Sequence, residues 1–322
     1  IEHDSIPAGK IHEPKGISST AAGNVYVSDG FGSGAWETNG GFLNRVVIDA
    51  TNGPGILAGT IDSSVEYFID GFVDMGALEI TVPTGGITIR GYNSSQSKLF
   101  STSASYTMFN GGTAGNVLLN DFTIDVSGTS SKVYDLTGDG SPSSFSAIEV
   151  SGINYENCTS LGEITGFRQG LELNTARFGG TPTLILSGTW GGGFRITTSI
   201  VRILDSGFSG VLFEEGTSLT MGSRFLVDMN VDLPAGTSGI SDFSSSVFAG
   251  SSLFQFHECL VTRAGAVTPD DVNYFKGITY TDLDAEFKNN KGISNTFVGG
   301  QLTLATPAVT TIVTINTPVV LA

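Results

Sequence analysis

From about Ile87 to Arg263 the chain is a succession of short apolar runs broken by Gly, Ser, Asn or Asp, with almost no helical period. Val117–Leu119, Ala147–Val150, Leu171–Leu173, Thr183–Leu186, Ile200–Leu204 and Leu253–Phe256 have the length and side-chain chemistry of strands. A small polar turn followed by an aromatic recurs beside them, in Asn120-Asp121-Phe122, Ile153-Asn154-Tyr155, Ser206-Gly207-Phe208 and Ser241-Asp242-Phe243. The spacing clusters around one to two units of roughly 20 to 30 residues, the range of repeat architectures. This pattern predicts an all-β solenoid, a parallel β-helix, which is long and rigid and presents an extended face in place of one deep pocket.

Outside that stretch the pattern changes. Residues 1–44 hold Pro7, Pro14, one strand at Val25–Val27 and an aromatic-punctuated loop over Gly30–Trp36, so they are expected to form an attachment segment with little core of its own. Strands return at Arg45–Ile48, Val65–Ile69, Leu78–Val82 and Gly86–Gly91, and the body is expected to span 45–263. Over 264–292 two short helices are predicted as a neck. Thr268-Pro269-Asp270-Asp271 has a Thr cap with Pro behind it, and Thr281–Asn290 places Leu283 and Phe287 four apart with Lys288 near the end. Residues 293–322 alternate again, at Thr296–Leu304 and Thr310–Ile315. They are expected to begin a C-terminal β domain that continues past the apolar end at Val319–Ala322, just as a start at Ile1 without Met predicts an upstream piece.

Composition narrows the function classes. At 322 residues, either several domains or an elongated repeat body is expected. Forty-four glycines and only 14% charged residues agree with many turns. The 31 acidic against 15 basic side chains give a net charge of -16, the wrong sign for nucleic acid or for adsorption to an anionic membrane. No stretch approaches the ~18 apolar residues of a membrane span, so membrane insertion is not expected. Cys158 and Cys259 fit buried strand positions better than a disulfide framework.

Several segments carry a family resemblance. They are Ile11–Gly16, Asn24–Gly30, Gly34–Trp36, Phe68–Gly76, Ser160–Glu163 to Phe178–Pro182, and Asn295–Gly300. In this order they resemble bacteriophage tail-fibre and tailspike-like structural proteins, and the strands at Leu78–Val82 and Gly86–Gly91 resemble the opening coils of a right-handed, pectate-lyase-like β-helix. The resemblance implies a homotrimeric virion appendage, extracellular, with the N-terminal segment toward other virion proteins and a host cell-surface glycan as receptor. It also implies that some such proteins cut polysaccharide while others only bind it. Attachment is the leading expectation. A polysaccharide depolymerase on the same scaffold, and a head fibre or bacterial surface carbohydrate-binding β-helix, are the alternatives.

Candidate chemistry is sparse. Asp121 and Asp125 would share one face of an unbroken strand, and Glu149, Glu163 and Glu172 could stack across coils, but no pair is distinctive enough to name as catalytic. Outer-face carboxylates that are solvated or paired with Arg168, Arg177 or Arg195 are the competing reading. Trp190, beside Gly191-Gly192-Gly193, is the best sugar-binding candidate if its indole protrudes, with Arg168, Glu172 and Arg195 around it; burial in the core or between subunits is the alternative. Asp135–Gly140 lacks the spaced ligands of a calcium loop, and His3, His12 and His257 are scattered, so neither metal nor cofactor is expected.

Overall fold

The computed structural model describes residues 44–140, 146–174, 179–181, 183–191, 195 and 210–219 in full, and elsewhere the backbone of the strands named below. The strands coil into a parallel β-solenoid. A long sheet stacks Asn44–Ile48, Val65–Ile69, Ile87–Gly91, Val117–Asn120, Ala147–Ser151, Gly170–Asn174 and Gly193–Arg202, and continues through Arg224–Leu233, Ser252–His257, Leu283–Lys288 and Ile312–Ile315. A second sheet holds Phe72–Asp74, Lys98–Ser101, Thr123–Val126 and Asn154–Glu156. A third includes Ile80–Thr81, Thr107–Ala114, Lys132–Gly138, Gly162–Thr165, Leu184–Ser187 and Val211–Glu215. Each coil between Val65 and Thr165 visits the long, second and third sheets in turn.

Alternation along each strand sends one set of side chains inward and the other out. On the long sheet Tyr67, Ile89, Leu119, Val150 and Leu173 stack in register and are buried. The neighbouring outward line runs Glu66, Thr88, Leu118, Glu149, Glu172 and Arg195. One coil takes 22 residues (Glu66 to Thr88) at its shortest and 31 (Leu118 to Glu149) at its longest along this line, so the repeat expected from the sequence is real but uneven. Corners are tied by buried hydroxyls: Ser97 donates to the Ile69 carbonyl at 2.9 Å and Ser131 to the Ser103 carbonyl at 2.6 Å, each reaching the preceding coil. Gly162 at a strand start has φ of +85°, and a Cβ there would meet the Tyr134 carbonyl at 2.0 Å, so only glycine fits.

Strands expected at Val65–Ile69, Ala147–Val150 and Leu171–Leu173 form with near-identical bounds. Four expectations change. Within the helix expected over Thr281–Asn290, Leu283–Lys288 is instead a strand paired in parallel with Ser252–His257 and Ile312–Ile315. Its apolar residues Leu283, Ala285 and Phe287 also satisfy a period of two, and the ladder on both sides supplies the backbone partners that decide between the periods. The loop expected over Gly30–Trp36 is partly strand, since Gly34–Thr38 pairs antiparallel with Asn24–Ser28. The strand expected at Ile200–Leu204 belongs to a longer one, Gly193–Arg202. A five-residue helix, Gly53–Leu57, was not anticipated; Pro54 favours its first turn, and it seats Leu57 in the core. The Thr268–Asp271 helix start, Arg177 and Cys259 lie outside the described residues. Beyond Arg263, Leu302–Leu304, Ile312–Ile315 and Val319–Leu321 pair in parallel with the strands one coil before them.

Candidate functional site

The outer face of the second sheet forms a groove. One rung line across its four strands reads Phe72, Lys98, Thr123, Asn154, and the next reads Asp74, Phe100, Asp125, Glu156. Between them Val73, Leu99, Ile124 and Tyr155 point inward and are buried, which forces both lines outward. A cavity of about 340 Å³ is lined by Phe72, Lys98, Phe100, Thr123, Asn154 and Glu156, with Ser94 and Ser95 at its side.

That side wall is preorganised. The Asn93 side-chain oxygen accepts from the Ser95 and Gln96 amides at 2.8 and 3.0 Å, fixing the turn. Thr123 Oγ1 then donates to the Ser94 carbonyl at 2.6 Å, pinning the turn to the sheet.

Charge is concentrated on one rung. Lys98 Nζ lies 2.6 Å from Asp125 Oδ2 and 3.2 Å from Glu156 Oε2, with its side chain 21% exposed. Burial pulls the ammonium's pKa down, but hydrogen bonds and charge from the two carboxylates outweigh it, and the net shift is upward. Asn157 donates to Asp125 from the following corner at 3.2 Å. The buried Asn154 amide oxygen has no hydrogen-bond partner among the described residues. Phe72 is 56% exposed and lies against the cavity. The groove thus offers aromatic surface, two carboxylates, one ammonium and one amide on a rigid sheet.

The residues singled out in the sequence fall elsewhere. Trp190 is fully buried, its Nε1 donating to the Ser187 carbonyl at 2.7 Å and its ring 6.0 Å from Phe167. The three glycines after it do not lift the indole into solvent; it belongs to the short strand Thr189–Trp190, paired with Thr220–Met221, and presents no face to a sugar. Glu172 and Arg195 do meet, at 3.6 Å on the outer long sheet, as an exposed pair. Exposed Arg168 belongs to the preceding turn, where its backbone amide bonds Ser146 Oγ at 3.1 Å and its guanidinium covers Gly191.

Among the acids, Glu149 and Glu172 stack in register as expected. Glu163 sits on the third sheet and accepts from Ser187. Asp121 has φ of +61° and occupies a corner, so it shares no strand with Asp125. Within the interior, Tyr134 and Tyr155 share a hydroxyl contact of 2.8 Å, and burial raises both phenols; burial likewise pushes the Cys158 thiol up to about 12.

Asp125 and Asn154 stood out in the sequence, but Phe72, Lys98, Phe100 and Glu156 did not. Their signal is positional: each flanks an inward apolar residue at the same point of successive coils. Among the described residues no cluster of three or more His, Cys, Asp or Glu could hold a metal ion, and no helix is long and apolar enough to cross a membrane. Comparison with protein-family models, curated proteins and solved structures finds no match to this chain.

Proposed function

We propose that this chain is the β-helix of a tail-fibre or tailspike-type virion appendage, right-handed and homotrimeric, which attaches to a host-surface polysaccharide and holds it without cutting it. The observation that carries the binding role is the groove over the second sheet: exposed Phe72 and partly exposed Phe100 beside Lys98, Asp125, Asn154 and Glu156. Aromatic faces receive the apolar side of a sugar ring, and fixed polar groups receive its hydroxyls. The virion setting rests on the sequence resemblance, and an extended solenoid suits a polymer better than a small metabolite.

The depolymerase reading has one observation of its own. Lys98 touches both Asp125 and Glu156, so the two oxygens it contacts lie no more than about 6 Å apart, closer than the carboxyl pair of an inverting glycosidase. The same contact argues for holding. The ammonium fills the space between the carboxylates, where the glycosidic oxygen would have to sit.

The purified protein, incubated with host envelope polysaccharide, tests this directly. Retained binding with no new reducing ends or unsaturated sugars is expected. Release of product would establish the depolymerase instead, and a native mass equal to one chain would remove the trimer.

A further inference from the structure

The groove also specifies what kind of glycan it takes. We infer that its ligand is an uncharged stretch of polysaccharide lying parallel to the solenoid axis, and that the site discriminates against acidic polysaccharides; this rests on the glycan-binding reading above.

Direction follows from the shape of the site. The two rung lines cross four strands from Phe72 to Asn154, and strands spaced ~4.8 Å apart make that path about 14 Å long. Across the groove each strand contributes only two outward residues, and the Ser94–Ser95 turn closes one side. A chain therefore finds more surface along the axis than across it.

Charge selects the class. Among the described residues Lys98 is the cation lining the cavity, and it already serves Asp125 and Glu156, which leaves this trio with one excess negative charge. Asp74 adds another acid to the same rung line, within a chain of net charge -16. A uronate or other anionic sugar would compete for an engaged ammonium while facing both carboxylates.

Hydrogen-bond valence points the same way. Glu156 on the cavity wall and Asp125 beside it can only accept. Sugar hydroxyls and acetamido N–H groups are donors that answer this set, whereas an ionised carboxylate brings only acceptors. The half-exposed Phe72 ring supplies an apolar platform at one end.

The test compares the full chain with Phe72→Ala and Glu156→Gln on an array of neutral and uronate-bearing oligosaccharides, the latter including oligogalacturonate. Wild type should bind neutral members with little dependence on salt, and Phe72→Ala, at an exposed position, should weaken that binding about tenfold. Glu156→Gln should raise affinity for oligogalacturonate relative to neutral sugars. Groove-dependent binding of oligogalacturonate in preference to every neutral member would overturn the inference while leaving glycan binding intact. Binding of no oligosaccharide would overturn both. Neutral binding unchanged in Phe72→Ala would overturn the groove as the site.

Discussion

Replacing Lys98 with Met tests the electrostatics of the groove. Methionine keeps most of the aliphatic stem but removes the ammonium that lies 2.6 Å from Asp125 and 3.2 Å from Glu156. Hydrogen bonds to charged groups contribute about 1.5–3 kcal/mol each where buried, and exposure reduces this. The Asp125 side chain is 14% exposed and the Glu156 side chain 36%, so the first contact should dominate. Two carboxylates on adjacent strands at one rung then repel without a counter-ion. The expected loss is about 2–4 kcal/mol in the coils around Asp125. Chemical denaturation followed by circular dichroism gives the total. Hydrogen exchange over 98–101, 123–126 and 154–156 shows whether the loss is local, as a solenoid with nearest-neighbour coupling requires. Adding Asp125→Asn and Glu156→Gln should restore most of the stability, because neutral partners need no ammonium. A single Lys98→Met variant as stable as wild type, or a triple variant less stable than the single, would refute the reasoning.

Trp190→Ala should cost about 3–5 kcal/mol in denaturation, as expected for a buried aromatic, and unfolding at wild-type denaturant would place the indole at the surface. Stability should fall as pH rises above about 9. Tyr134, Tyr155 and Cys158 have folded pKa values raised by burial, so the unfolded chain releases those protons first, and each group costs up to about 1.4 kcal/mol per pH unit until its folded pKa is reached. Lys98 adds to the loss at higher pH, since its raised pKa favours the folded state only while it is charged. Melting temperatures measured from pH 7 to 11 check this, and a flat profile would contradict it. In a Cys259→Ser background, Cys158 should resist thiol reagents at neutral pH until the protein is unfolded, whereas rapid native labelling would contradict its burial.

The sequence was most legible where alternation and turns agreed. Val65–Ile69 carries alternating apolar positions with turn residues on both sides, and no other element competes for it. Leu283–Lys288 shows the limit. A spacing of four serves one helix face and one strand face equally, and the flanking ladder decides it. Trp190 shows another. Glycines after an aromatic permit protrusion but do not cause it, and Phe167 and the Ser187 carbonyl hold the ring inside.

By itself the chain determined that it coils. Short apolar runs set strand length, small polar residues set the corners, and their recurrence leaves parallel stacking as the way to bury one face of each strand. Which side chains meet was decided only by tertiary register. Phe72, Lys98, Asp125 and Glu156 belong to four coils whose corners absorb unequal lengths, and a one-residue slip of any of these strands against its neighbours would turn an outward side chain inward. The groove therefore exists only in the stacked coils, where strands far apart in sequence lie beside one another and bring an ammonium, two carboxylates and two aromatic rings to one face.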